Sequence, residues 1–421
     1  MRKMFYILQN KIVLIHFFKK KTMMKKAISM MAAAAIALSS CSSDETKDVA
    51  KSSNITFRAS VGKNTRGAEL AEADNGDNNM TKLIVSAFNG ANGYFENMEF
   101  TKKGSAFESA TMNPTWPKDG TLDFVAYSYL GTSWNYANKP TLSKDGATMT
   151  GFAPKTSIKE QEDFVFAKGS GSKATNEAAG VELNFEHILS QIKIQVKNTD
   201  PSLKYKIMGI RIASVSGSAD YTFNPAQTDY AQKHAWTNPG TANVKYETFF
   251  ETPVVLTGDG QLVDLTDKCN TNNAVGGAML IPQTVTSWAG NKTDVADNFE
   301  NFTGKAYISL LINVKRGSES IYPSQDTNGS KYGWAAVAIP AITWAAGNKY
   351  IYTLDMTKGC GKVDPVEPNP GTGGPEGGVQ PDGAKDPEKG DTIFGKTIKF
   401  TVRITKWIDA SAGGTNGKID M

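Results

Sequence analysis

The stretch "KTIKFTVRITKW", Lys396–Trp407, decides the fold class. Ile398, Phe400, Val402 and Ile404 alternate with Lys399, Thr401, Arg403 and Thr405, and a period of two puts the apolar set on one face of an extended strand. The same spacing recurs near the other end in "NITFRASV" from Asn54, where Ile55, Phe57, Ala59 and Val61 alternate with Thr56, Arg58 and Ser60. Between them lie more short runs, among them "KLIVSAF" from Lys82, "TLDFVAYSYL" from Thr121, "SQIKIQVKN" from Ser190, "KAYISLLINVKR" from Lys305 and "KYIYTLDM" from Lys349. Gly, Asn, Asp and Pro separate them, and hardly any stretch shows a helical apolar period. The pattern predicts an all-β chain of two stacked antiparallel sandwiches.

A chain of 421 residues with 40% hydrophobic side chains is long enough to bury two cores. The Gly-, Ser- and Lys-rich passage "AKGSGSKATNEAAG" from Ala167 predicts the internal boundary near residue 180. That gives an N-terminal β-sandwich over 54–180 and a C-terminal one over 181–360. The next passage, "GKVDPVEPNPGTGGPEGGVQPDGAKDPEKGD" over 361–391, is rich in Pro and Gly and nearly free of large apolar groups, so it cannot build a core and reads as a flexible linker. The segment 392–421 is then a tethered strand. A flexible linker of about thirty residues spans roughly 30 Å, close to the diameter of about 36 Å expected of a 130-residue domain. The last strand therefore reaches either its own domain or a neighbouring subunit. In the second case Ile398, Phe400, Val402, Ile404 and Trp407 are the donated residues and the pairing is β-augmentation. Donation needs an empty groove, which the first strand fills until it is removed.

At the amino terminus, "MKKAISMMAAAAIALSSC" ending at Cys41 has two lysines, an apolar run and small residues at its boundary, the plan of a secretory signal. The run is shorter than the roughly 20 residues of a membrane-spanning helix. Leu38-Ser39-Ser40-Cys41 resembles the lipobox of bacterial lipoproteins, which makes 1–40 an upstream extension with a lipoprotein signal, Cys41 the lipid-bearing first residue, and 41–53 a tether. Ser42, Ser43, Asp44 and Glu45 resemble the sequence that directs lipoproteins to the cell surface in Bacteroidetes. The first forty residues hold eight of the 46 basic residues and no acid; without them 38 face 42 acidic ones. No basic stripe interleaved with aromatics is left, so nucleic acid is not a predicted partner.

After the first alternating run comes the polar loop "GKNTRGAELAEADNGDNN" from Gly62. Polar, exposed loops are preferred sites of nicking, and a cut between Arg66 and Gly67 detaches the first strand. Chemistry of other kinds finds no pattern. Beyond Cys41 only Cys269 and Cys360 are present, enough for at most one disulfide. His187 and His234 come with no H-E-x-x-H, zinc-spaced cysteines or calcium loop, so no metal and no cofactor are predicted. No nucleophile elbow, P-loop or dinucleotide glycine pattern occurs, and no enzyme is predicted. His187, in "FEHILSQ", reads as structural. Trp134, Tyr136 and Trp288 occupy loop-like contexts and are nominated as exposed aromatics for stacking on a sugar ligand.

The lipobox at Cys41, "ITFRASVGKNTRG" near the mature start, "FEHILSQIKIQV" from Phe185, "LIPQT" from Leu280, "WAAGNKYIYTLDM" from Trp344 and "FTVRITKWID" from Phe400 together resemble the fimbrillins of Bacteroidetes, of the FimA-like and Mfa-like group. The resemblance implies two transthyretin-like β-sandwich domains and export as an outer-membrane lipoprotein. It also implies cleavage after Arg66 by an Arg-specific protease and assembly with other fimbrial subunits by strand exchange, the donor lying within Lys396–Trp407. The expected function is thus a structural and adhesive subunit of a cell-surface fimbria. The alternative is a monomeric surface lipoprotein that binds glycans. The long Pro- and Gly-rich linker departs from the family pattern and leaves shaft, tip and anchor roles open. Mass spectrometry of the native amino terminus is expected to find lipid on Cys41 before processing and Gly67 after it; a free Cys41 thiol in the exported protein counts against the anchor.

Overall fold

The computed structural model describes residues 53–61, 80–109, 111–112, 114–131, 134, 136–269, 277–326, 328–371, 374–375, 386–396 and 398–407, and the backbone of 417–420. The chain is all-β. Its first strands are β1 (Phe57–Val61), β2 (Lys82–Asn89), β3 (Asn92–Lys103), β4 (Ala106–Ser109), β5 (Thr121–Tyr129), β6 (Thr141–Ser143), β7 (Gly146–Phe152), β8 (Phe164–Ser172) and β9 (Val181–His187). Seven of them close into a barrel in the order β1-β4-β3-β2-β5-β8-β9. Leu83 and Val85 of β2, Leu122 and Phe124 of β5 and Val165 of β8 fill its interior. The alternate residues Ile84, Val125, Tyr127, Phe164 and Phe166 point outward into a second core. Strands buried on both faces carry near-continuous apolar runs, which is why "KLIVSAF" does not alternate cleanly.

The chain continues through β10 (Ser190–Lys197), β11 (Leu203–Val215), β12 (Ala219–Phe223), β13 (His234–Thr237), β14 (Val244–Leu256), β15 (Val263–Asp264), β16 (Ala278–Leu280) and β17 (Gln283–Val285). The remainder is β18 (Tyr307–Arg316), β19 (Glu319–Tyr322), β20 (Gly333–Ala338), β21 (Ile342–Trp344), β22 (Asn348–Asp355), β23 (Lys362–Val363), β24 (Lys399–Lys406) and β25 (Gly417–Asp420). The sheet β13-β12-β7-β6 covers the outer core of the barrel, so a hairpin from beyond β9 completes it. Two larger sheets, β14-β11-β18-β20-β23 and β15-β10-β22-β24-β25, share one core. Ile192 and Ile194 of β10 and Tyr350 and Tyr352 of β22 meet Ile210 and Ile212 of β11 and Ile308 and Leu310 of β18 in it.

Two expectations change here. The passage from Ala167, expected as the domain boundary, runs in β8 as far as Ser172, makes one helical turn at Lys173–Asn176, and leads into β9, which belongs to the barrel. Its glycines serve packing: a Cβ on Gly169 would lie 2.8 Å from Leu183 Cδ2 and 3.1 Å from the Glu182 carbonyl. The Pro- and Gly-rich passage, expected as a flexible linker, is docked over its described residues. Val363, Asp364, Pro365, Val366 and Pro368 are buried. The passage also closes on itself, for Cys360 N–H donates to the Phe394 carbonyl at 3.2 Å, Val363 N–H to Asp391 at 2.9 Å and Lys396 N–H to Lys358 at 2.8 Å. The tether to β24 is therefore the few residues after Lys396. Cys269 and Cys360 are buried free thiols.

A buried ion cluster docks the passage together with its own buried apolar side chains, Val363 and Val366. Arg211 on β11 has a side chain with no exposure. Its Nε donates to Glu247 at 2.8 Å, its Nη1 to Asp364 at 3.1 Å and to the Glu367 carbonyl at 3.1 Å, and the Trp334 ring lies 4.2 Å from its guanidinium carbon. Asp364, equally buried, accepts from the hydroxyls of Tyr307 at 2.9 Å and Ser309 at 2.7 Å and from the N–H groups of Val366 and Glu367 at 3.0 Å. Burial works against the charge on Arg211, but Asp364 and Glu247 outweigh it and hold its pKa above the ordinary value. Removing one partner of a buried pair strands the other, at about 3–5 kcal/mol. Arg211→Met is therefore expected to lower the denaturant midpoint by that equivalent, whereas Glu367→Gln at the exposed rim costs less than about 1 kcal/mol.

Candidate strand-exchange site

β1 closes the barrel. It runs parallel to β9 over five residues, from Phe57 opposite Val181 to Val61 opposite Phe185, but meets β4 antiparallel only at Phe57 opposite Phe107. Ile55, Phe57 and Val61 point inward and are buried, while Arg58 is exposed. The ring of Phe57 packs edge-on against Phe100 at 4.7 Å and Phe124 at 5.1 Å. Backbone bonds pin its entry: Ile55 N–H to Pro114 at 2.7 Å, Trp116 N–H to Ser53 at 3.0 Å and Val181 N–H to Thr56 at 2.9 Å. The Ser60 hydroxyl bonds Asn184. Burying three such side chains contributes roughly 1.5–3 kcal/mol each before ordering costs, so a barrel without β1 presents a slot whose walls, Phe100, Phe107, Phe124, Leu183 and Phe185, suit an alternating apolar strand.

The terminal strand lies in its own chain. β24 pairs antiparallel with β22 from Lys399 opposite Asp355 to Lys406 opposite Asn348, and β25 adds to its other edge. Ile398 and Val402 are buried, and Phe400 and Ile404 are half-buried against the same core, so the alternation read from the sequence is realised. Trp407 departs from that face. It enters the outer core of the barrel and stacks on His187, with ring centres 4.1 Å apart and planes 4° from parallel. That pairing of a histidine with a tryptophan more than two hundred residues away carries no local sequence signal.

Of the three aromatics expected to be exposed, Trp288 is fully buried and Trp134 and Tyr136 are half-buried, which corrects the expected exposure. Trp288 has no exposure and packs against Phe302 and Tyr307. Trp134 and Tyr136 are half-buried on the outer core, where Trp134 meets Tyr129 at 5.3 Å and Phe164 at 5.4 Å and Tyr136 meets Phe152 at 5.1 Å. Loop composition suggested exposure, but the barrel's outer face needs large side chains to cover it. Cys41, Arg66 and Gly67 lie outside the described residues.

The end of β9 is tied down by polar contacts. Glu186 accepts from Lys233 at 3.0 Å and from His234 Nε2 at 3.1 Å, and the other ring nitrogen of His234 faces the Tyr221 hydroxyl at 2.8 Å. Burial is the largest influence on His234 and pulls its pKa down despite Glu186, which makes the ring an acceptor for Tyr221 and a donor to Glu186. Burial pushes Glu186 up, yet its bonds from His234 and Lys233 prevail and its pKa is lowered.

Set beside known proteins, residues 70–369 match a family model described as fimbrillin-like. No curated protein matches. Among solved structures, a candidate cell-adhesion protein from Bacteroides uniformis is 14% identical, covering 84% of this chain and 98% of its own, with a TM-score of 0.40. A fimbrial protein from Bacteroides vulgatus is 16% identical, covering 72% of this chain and 95% of its own, with a TM-score of 0.43.

The lowered values give the site a pH dependence. The unfolded chain binds protons on His234 below about pH 6.5 while the folded chain resists them, so the stability is full above that pH and is lost as pH falls through the folded value. Glu186 adds a loss in the same direction at lower pH. Denaturation at pH 7 and pH 5 is expected to show a lower midpoint at pH 5, and His234→Gln is expected to shrink that difference.

Proposed function

The chain belongs to the fimbrillin-like family, and from that premise we propose that it is a structural and adhesive subunit of a cell-surface fimbria, assembled by strand exchange. In this scheme the protein is exported as an outer-membrane lipoprotein through Cys41, cut between Arg66 and Gly67, and joined to related subunits through the slot that β1 leaves. Its two halves act as tandem transthyretin-like sandwiches. The matched span contains neither β1 nor β24, so the case for strand exchange rests on geometry.

One observation carries it. β1 is a short strand, with Phe57 and Val61 buried, that closes the barrel, and the polar segment holding Arg66 directly follows it in the chain. A cut there leaves β1 attached only to the amino-terminal tether. The apolar spacing of Ile398, Phe400, Val402 and Ile404 repeats that of Ile55, Phe57, Ala59 and Val61, so a terminal strand from another copy meets the slot with matched alternation. The glycan-binding alternative would rest on Trp134, Tyr136 and Trp288, whose rings the protein's own core covers.

Trypsin treatment of the purified uncut protein is expected to produce ladders of higher mass on gels, with Arg66→Ala remaining monomeric. Equal polymerisation of both, or of neither, overturns the scheme.

A further inference from the structure

Trp407, directly after β24, seats the end of the terminal strand against the barrel. The Trp407 ring lies flat on His187, with the Lys349 ammonium 5.6 Å from its centre. Trp407 N–H donates to the Gly347 carbonyl at 2.7 Å, and Gly347 N–H donates to the Leu189 carbonyl at 2.9 Å, two residues beyond His187. His187 is held in turn: its Nδ1 is 2.9 Å from a carboxylate oxygen of Asp163, and both side chains are fully buried. The Tyr230 hydroxyl donates to the His187 carbonyl at 2.7 Å.

His187 is the last residue of β9, the strand on which β1 lies. β9 has five register pairs with β1, at Val181 to Phe185, and only two with β8, Val165 opposite His187 and Phe166 opposite Glu186. Most of its ladder is therefore lost with β1. The face that Trp407 needs belongs to a strand whose other neighbour is the one strand marked for removal.

We propose that the seating of β24 is coupled to the presence of β1 through β9, with the His187–Trp407 stack as the link, so that loss of β1 loosens the terminal strand. The proposal rests on the reading that β1 is the removable strand. It adds an order of events: the strand that would be donated stays docked until the slot of its own subunit has been opened. A subunit regulated this way does not release a sticky terminal strand before processing. Coupling of this kind is reciprocal, so disturbing the Trp407 seat loosens β1 as well.

The test is amide hydrogen exchange on the full, uncut chain. Phe57→Ala, which loosens β1 in place, is expected to speed exchange over 399–406 about 10-fold or more, and Trp407→Ala to speed exchange over 57–61 comparably. Val85→Ala, a barrel-core change on β2, which pairs with β3 and β5 rather than with β1 or β9, is the control for general destabilisation and is expected to leave 399–406 unchanged. Should Phe57→Ala not fold, Phe57→Leu serves with a smaller shift in the same direction. In a Phe57→Leu background, His187→Phe keeps a flat ring under Trp407 and preserves the effect, while His187→Ala abolishes it. If Phe57 variants change exchange only in β1, or if Val85→Ala speeds 399–406 equally, the coupling is absent. Because no cleavage or polymerisation is involved, this outcome is independent of whether trypsin produces ladders.

Discussion

The parallel pairing of β1 with β9 is the constraint on which the rest of the molecule depends. Closing a barrel removes the open sheet edges that would otherwise invite pairing with another chain, and here closure is achieved by the five residues of β1. Because strands β2, β5 and β8 are apolar on both faces, the outer face also demands a cover. That cover is the β6–β7 hairpin joined by β12 and β13, drawn from beyond β9. The two halves of the chain are thereby interleaved, and His187 at the end of β9 becomes the place where barrel and terminal strand touch.

The second half is organised around a different interaction. Val363 of the Pro- and Gly-rich passage joins its sandwich core, and β11 of the β14-β11-β18-β20-β23 sheet also holds Arg211, a buried charge that needs partners. Asp364 and Glu367 supply them from within the passage, and the ladder between 358–363 and 391–396 returns the chain to the sheet. The terminal strand is thus set down beside β22 on a short tether. A segment with no core of its own becomes ordered by satisfying a cation that the sheet presents.

Much of the fold was legible in single stretches. Alternation in 54–61, 190–197 and 396–407 identified strands, and the faces it assigned, such as Ile398 with Val402, are the buried ones. Of the candidate site, the matched apolar spacing of the first and last strands was legible because it is a local feature, while Arg66 lies outside the described residues. Composition misled where glycine, serine and proline had tertiary roles. Gly169 reads as linker but admits the close approach of β9, and Pro365 and Pro368 read as leash but are buried. Trp134, Tyr136 and Trp288 read as loop aromatics because nothing local announces the core they cover.

By itself the sequence determined the β class and the strand faces, since each follows from the period and type of neighbouring residues. Only the tertiary structure decided that β1 lies parallel to β9, that a hairpin from the second half covers the barrel, that Arg211 gathers Asp364 and Glu367, and that Trp407 rests on His187. Strand periodicity specifies which way a side chain points relative to its own backbone. It carries no information about which distant strand, charge or ring waits there, because those partners are set by how all the faces can be buried at once.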